Sequence, residues 1–245
     1  NPRFAAYCQA IEKARVVLGE LGVTDKPKEE QKAELLRLLR QRMPDAFVDW
    51  MDAALILGEE SPEYAPLLGT GGNDGRLNFS QNFMERLVGL GLPNERPSKQ
   101  ALPLLRQSLL AEPMPGLQHK PVGQFVPGRA GGPNATQGME GDPIDNPWDF
   151  ILGLEGSLLL AGTAVRRFRV GLSGRAAFPF TIDTRPVGDE ATSDAKTRGE
   201  VWLPVWSTPT GYAELRLLFA EARVEWRRRP VKDPVDFARA VASLG

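Results

Sequence analysis

The sequence predicts a mainly α protein with a minor β element, in which a helical core carries a short hairpin or small sheet. Apolar residues recur three and four positions apart over most of the chain, which is the period of amphipathic helices. Two short runs rich in β-branched and aromatic residues occur late in the sequence, and we find no internal repeat. At 245 residues and 42% hydrophobic, the chain can bury a substantial core. It begins at Asn1 and ends within an amphipathic pattern, so we expect one compact region of a longer protein.

The first region, residues 1–112, is predicted to be helical and to contain a Gly-rich loop at 69–78. Its five predicted helices share the three-and-four apolar spacing and cover residues 3–20, 28–43, 44–58, 79–91 and 97–112. Pro44 and Pro97 suit the entry of two of these helices, whereas Pro103 weakens the last one.

The remaining sequence divides into a loop region, residues 113–146, and a C-terminal region, residues 147–245. The loop region is so rich in Pro and Gly that no regular element is predicted there. The C-terminal region opens on an apolar helix, NPWDFILGLEGSLLLAGTAVRRF, whose small residues allow close packing: Gly153, Gly156, Ala161 and Gly162. The runs AFPFTID and EVWLPVW either pair as a hairpin or join strands elsewhere. Two amphipathic helices, residues 212–228 and 233–244, close the chain.

Composition excludes several classes of function. The net charge is −1, so the chain lacks the large overall positive charge that indicates binding to nucleic acid or to a membrane. His119 is the single histidine, which rules out a two-histidine metal site within this chain. Cys8 is the single cysteine and is predicted to be a buried structural thiol. A carboxylate metal site at Asp142 and Asp145 is conceivable but unsupported, since such pairs are usually helix caps, surface charges or turn formers.

These exclusions predict no catalytic residues, no metal and no cofactor, so we expect a protein that is not an enzyme. No run of about 18 apolar residues occurs, and no signal peptide opens the chain. We therefore expect a cytoplasmic protein with no membrane partner.

The stretch LGTGGNDGRLNFSQNFMERL, residues 68–87, resembles a phosphate-binding loop but lacks both familiar spacings. In the dinucleotide pattern the third glycine position is occupied by Asp74, and no lysine lies between Lys32 and Lys99 for a Walker A loop. What remains is a segment that tolerates positive φ, in which backbone N–H groups can converge on an anion beside Arg76. The alternative is a turn that only reverses the chain between two helices.

Side chains near this loop are candidates for nucleic-acid contact. Asn78, with Gln81 three residues later, resembles a capping box at the start of the next helix. Asn and Arg are side chains that read adenine and guanine edges. The candidate contact residues are Gly71, Gly72, Asn73, Asp74, Arg76 and Asn78.

Two arginine clusters contain an aromatic residue each. The first is VRRFRV and the second is VEWRRRP, and their candidate contact residues are Arg166, Arg167, Arg169, Arg227, Arg228 and Arg229. Such clusters hold phosphates and stack bases. The alternative is that they complement the macrodipole at a helix C-terminus.

The stretches LLGTGGNDGRLNFSQNFMERL, NPWDFILGLEGSLLLAGTAVRR, AFPF and GEVWLPVW together resemble one known family. They are similar to the large subunit of type I-G (formerly I-U) CRISPR Cascade effectors, over most of residues 44–245. The resemblance implies a non-catalytic, DNA-binding and RNA-binding subunit in antiviral defense. Such a subunit contributes to recognition of the protospacer-adjacent motif, R-loop stabilisation and subunit contacts.

The resemblance also implies partners: other Cascade subunits, the CRISPR guide RNA and target DNA, and a helicase-nuclease recruited to the complex. Two other functions remain open. The first is an enzyme, a hydrolase or transferase that binds a phosphorylated ligand through the Gly-rich loop. The second is a helical protein-interaction scaffold.

Overall fold

A computed structural model of the chain describes residues 2–58, 62–69, 73–74, 77–93, 96–115, 117–120, 144–165, 175–182, 200–205, 207–221, 225–226, 229–231 and 234–242. Within these residues it contains eight α-helices, one 3-10 helix and twelve short strands. The predicted class, mainly α with a minor β element, is confirmed. Every strand described pairs with one antiparallel neighbour, which gives six two-stranded sheets.

In chain order the elements are α1 (Pro2–Glu20), α2 (Glu29–Arg42), α3 (Asp45–Ala54), β1 (Leu55–Leu57), β2 (Pro62–Tyr64), β3 (Asn73–Asp74), β4 (Leu77–Asn78), α4 (Phe79–Gly89), α5 (Ala101–Leu110), β5 (Gln118–His119), β6 (Ile144–Asp145), α6 (Pro147–Gly156), a 3-10 helix (Ser157–Leu160), β7 (Thr163–Val165), β8 (Arg175–Ala177), β9 (Thr181–Ile182), β10 (Glu200–Val201), α7 (Tyr212–Glu221), β11 (Glu225–Trp226), β12 (Arg229–Pro230) and α8 (Pro234–Ala242).

The chain forms two compact units. The first contains residues 1–69 and 158–245, and the second contains residues 70–157. Both of the region limits predicted from sequence, after residue 112 and after residue 146, fall inside the second unit.

In the first unit, α1 packs on α2, and the most buried residues of α1 are Ala10 and Val17. Cys8 is exposed on α1, so the prediction of a buried thiol is wrong. The helix predicted over residues 44–58 ends at Ala54, because Leu55 turns to an extended conformation and starts β1. Leu55 and Ile56 are both buried, and such a short apolar run has no period that distinguishes strand from helix.

The other half of this unit has its core around six buried residues: Phe180, Ile182, Phe219, Val231, Phe237 and Ala240. The rings of Phe180 and Phe219 meet edge to face, with 5.1 Å between their centroids. The runs AFPFTID and EVWLPVW pair with each other through β9 and β10, which decides between the two predicted alternatives. The helix predicted over residues 212–228 ends at Glu221, and Trp226 belongs to β11.

In the second unit, α4 and α5 both pack against α6, whose buried residues are Phe150, Ile151 and Leu154. The apolar helix predicted from residue 147 is shorter than expected, since α6 ends at Gly156 and a strand, β7, starts at Thr163. Apart from its chain neighbours and its own helix backbone, nothing lies within 4 Å of a Cβ built at Gly156, so the predicted close approach is wrong there. It is confirmed at Gly162 in the first unit, where an added Cβ would lie 2.5 Å from the Phe178 ring.

Two further predictions for the second unit are corrected. The helix expected from residue 97 begins at Ala101, so Pro103 occupies its first turn. Proline is tolerated there because the first N–H groups of a helix have no acceptor within it. The region predicted to lack regular structure contains β5 and β6, which pair Gln118 with Asp145 and His119 with Ile144.

Candidate nucleic-acid interface

The Gly-rich segment forms a hairpin at the start of α4. Strand β3 pairs with β4, so that Asn73 lies opposite Asn78 and Asp74 lies opposite Leu77. Asn73 and Asp74 are extended strand residues, so neither contributes the left-handed backbone on which the predicted anion-binding nest depends. The structure thus brings together three of the candidate residues on one hairpin. The other three candidates, Gly71, Gly72 and Arg76, lie outside the described residues.

Asn78 is the N-cap of α4, as the sequence predicts, but the Gln81 side chain does not return the second bond of the predicted capping box. Its side-chain oxygen accepts a hydrogen bond from the backbone N–H of Gln81 at 2.7 Å and another from the Ser80 hydroxyl at 2.8 Å. The side chain of Gln81 donates to Glu85 at 3.0 Å. Asn78 therefore fixes where the hairpin ends and the helix begins.

Replacing Asn78 by alanine is expected to lower the free energy of unfolding by about 1 kcal/mol, because an N–H in the first turn loses its acceptor. The Asn78→Asp variant keeps an acceptor and adds a negative charge near the helix N-terminus, so we expect it to be as stable as the wild type. Amide hydrogen exchange in the first turn of α4 measures the difference. Equal exchange in the two variants would contradict the capping role.

The buried face of α4 contains two polar side chains. Phe79 and Leu87 pack inward, but so do Asn82 and Arg86, each with only 1% of its surface exposed. A fully buried arginine is rare in proteins unless its charge is paired. Arg86 was not among the residues predicted from sequence, although one signal was present: this cation falls on the apolar stripe of an otherwise amphipathic helix.

Arg86 pairs with a carboxylate from the segment that precedes α6. Its Nη2 donates to Asp145 Oδ2 at 3.0 Å, and Asp145 is only 2% exposed. Its Nη1 donates to Asn82 Oδ1 at 3.2 Å, and its guanidinium carbon lies 4.3 Å from the centre of the Phe150 ring. We call Asn82, Arg86, Asp145 and Phe150 the Arg86 cluster. Asp145 thus accepts from a buried cation, whereas Asp142, its partner in the carboxylate site that the sequence left open, lies outside the described residues.

The residues after Asp145 are tied to α5. Asn146 donates to the Leu104 carbonyl oxygen at 2.8 Å and accepts from the Trp148 N–H at 3.0 Å, which caps α6. The Trp148 indole donates to the Ala101 carbonyl oxygen at 2.8 Å. Asp149 accepts from the hydroxyl of Ser108 at 2.6 Å. The sequence DNPWD therefore joins α4, α5 and α6 through side-chain hydrogen bonds.

An exposed ion pair in the same unit offers a contrast with the Arg86 cluster. Arg106 of α5 donates to Glu112 through two nitrogens, with 2.7 Å from Nε to Oε2. The hydrogen bond from Arg106 lowers the pKa of the Glu112 carboxyl, and the same bond raises the pKa of Arg106. Solvent screens such a surface pair, so it contributes little to stability.

The arginine clusters are only partly covered by the structure. Arg166, Arg167 and Arg169 lie outside the described residues, as do Arg227 and Arg228. Arg229 pairs with Trp226 across β11 and β12. Trp226 and Arg229 are strand residues and do not belong to the last turn of α7, which ends at Glu221.

In the described part of the chain, no three His, Cys, Asp or Glu side chains are arranged to hold a metal ion, and His119 is exposed in β5. None of the helices that can be described has the length and hydropathy to span a bilayer.

Comparison with known proteins assigns no family. No protein-family model matches the chain, and no curated protein matches it significantly.

Proposed function

We propose that the chain is part of a non-catalytic large subunit of a type I-G CRISPR Cascade complex, and that the hairpin before α4 contacts nucleic acid. The subunit would act in the cytoplasm with other Cascade subunits, guide RNA, target DNA and a recruited helicase-nuclease. The proposal rests first on the sequence resemblance over GTGGNDGR, NFSQNF and NPWDF.

One structural observation supports this proposal. The two stretches that carry most of the resemblance form α4 and α6, and these helices pack against each other in the second unit. A hairpin that includes Asn73 and ends at Asn78 therefore starts from a helix held by a buried core. Binding residues supported in this way keep their geometry better than residues on a free loop.

The side chains divide into two roles under this proposal. The oxygen of Asn78 is engaged in capping α4, so its contribution is to position the hairpin. Asn73 and Arg76 are then the candidates for direct contact with bases or phosphates, since amide and guanidinium groups pair with both.

The test uses the complete complex with its guide RNA and a matching target duplex. We expect Asn73→Ala combined with Arg76→Ala to weaken duplex binding by about tenfold and to reduce the slope of log affinity against log salt by about one. Arg106→Ala removes an exposed arginine from the same unit and serves as the matched control. Equal affinities for all three proteins would reject the hairpin as a contact.

Exposed apolar side chains on α7 favour the scaffold alternative. On α7 only Phe219 is fully buried, whereas Tyr212, Leu217 and Leu218 are exposed. Exposed apolar side chains grouped on one helix are typical of protein-binding surfaces. Loss of assembly when the subunit is removed, together with unchanged duplex affinity of the complex that carries Asn73→Ala and Arg76→Ala, would favour the scaffold.

The enzyme alternative predicts binding of a phosphorylated ligand to the isolated chain. Addition of inorganic phosphate or ATP would then raise the melting temperature, because a ligand that binds only the folded state stabilises it.

A further inference from the structure

Arg86 is held from three directions within the second unit. One nitrogen donates to Asp145 at 3.0 Å, the other terminal nitrogen donates to Asn82 at 3.2 Å, and the guanidinium lies over the Phe150 ring at 4.3 Å. These contacts define the position of the guanidinium along α4 and its distance from α6. They also define its orientation, because a guanidinium is planar and its donors have fixed directions.

The partner of Arg86 lies at a structural junction. Asp145 belongs to β6, which pairs with Gln118 of β5, and the adjacent Asn146 caps α6 and binds α5. A buried ion pair therefore connects the helix that follows the Gly-rich hairpin with the strand that directly precedes α6.

We propose that Arg86 and Asp145 are positioning residues, which set the placement of α4, and hence of the hairpin at its N-terminus, relative to α5 and α6. Apolar contacts such as those of Phe79 and Leu87 hold α4 against the core, but they have no preferred direction along it. The hydrogen bonds of Arg86 supply that direction.

A buried ion pair can fix the position of a helix without adding to the stability of the fold. Replacing both members of a buried ion pair by apolar residues of similar size is often neutral or stabilising, because desolvation offsets the attraction. The apolar replacement lacks directional bonds. A positioning pair is therefore recognised by a variant that stays stable but loses its defined geometry.

The test variant combines Arg86→Met with Asp145→Leu. Spin labels are attached at Gln81→Cys in α4 and Leu109→Cys in α5, both exposed positions of this unit. Pulsed electron paramagnetic resonance then measures the distance between the two helices. Cys8→Ser removes the remaining thiol. We expect normal thermal stability and a broadened or shifted distance distribution. A stable variant whose distribution matches that of the Arg86–Asp145 parent would overturn the inference.

A second measurement, which rests on the proposed function, is duplex affinity of the assembled complex carrying the double variant without labels. We expect about a tenfold loss, within the usual range of coupling between sites. A purely structural pair would lower affinity only in step with stability. If the helix distance changes while DNA affinity does not, the positioning role stands and the proposed contact fails.

The Arg86→Lys variant provides the same test if the double variant does not fold. Lysine keeps the charge beside Asp145, but its compact ammonium cannot reproduce the planar, forked geometry of the guanidinium. A changed helix distance in this variant supports the inference, and an unchanged distance overturns it.

Discussion

Replacing Asp145 by alanine should lower the free energy of unfolding of the second unit by about 3–5 kcal/mol, because the Arg86 charge then stays buried without its carboxylate. Arg86 is 1% exposed and lies beneath α6, so water cannot replace the carboxylate unless α4 moves. A domain is typically stable by only about 5–15 kcal/mol, so the loss is a large part of the total.

Native-state hydrogen exchange of peptides from α4 and α6 measures this loss within the second unit. The matched control is Glu112→Ala, which breaks an arginine–carboxylate pair in the same unit at an exposed position. We expect no measurable change for the control. Similar exchange in the two variants would show that burial of the Arg86 cluster has no energetic consequence.

Replacing Gly69 by alanine should destabilise the first unit by about 3 kcal/mol, the upper part of the range for overpacked sites. The Gly69 N–H donates to the Ala65 carbonyl oxygen at 2.9 Å, and this turn brings the two backbones together. A Cβ at position 69 would lie 2.3 Å from that oxygen and 2.6 Å from the Ala65 nitrogen. Both are backbone atoms, so no side-chain rotation relieves the overlap.

Gly19→Ala is the control for this prediction, since it makes the same substitution within α1 of the same unit. Apart from its chain neighbours and its own helix backbone, nothing lies within 4 Å of a Cβ built at Gly19. We expect a gain of about 0.5–1 kcal/mol, because alanine loses less conformational entropy than glycine on forming a helix. Urea denaturation of both variants tests the pair, and stabilisation of the Gly69 variant would contradict the steric explanation.

The close backbone approach at Gly69 also bears on the function of the Gly-rich loop. The first glycine of GTGGNDG is required by a close approach of backbones, which needs no ligand. A glycine-rich sequence can therefore reflect packing at one position and ligand contact at another. The proposal for nucleic-acid contact accordingly depends on Asn73 and Arg76 rather than on the number of glycines.

Helix ends were harder to predict than helices. The helices predicted over residues 44–58, 147–168 and 212–228 all exist, but they end at Ala54, Gly156 and Glu221. In each case the pattern continues with apolar residues that the structure places in a strand or a 3-10 helix. Apolar character continues across such a junction because the next residues are also partly buried: Leu159, Leu160 and Trp226 all pack against the core of the first unit. Sequence periodicity therefore does not mark the boundary.

The sequence by itself determined the helical class and the existence of the eight described α-helices. Amphipathic spacing and the cap at Asn78 depend on residues a few positions apart, so they can be read without knowing the fold. It also indicated that AFPFTID and EVWLPVW are strands, although not that they pair with each other.

Only the tertiary structure decided which polar residues are buried. Asp145 appears in the sequence as an ordinary turn former, and Arg86 as one more helix cation. They become an ion pair because the fold brings together positions 59 residues apart, with the Phe150 ring against the Arg86 guanidinium. Burial and partner choice depend on these long-range contacts, which is why the central feature of the candidate site could not be read from local sequence.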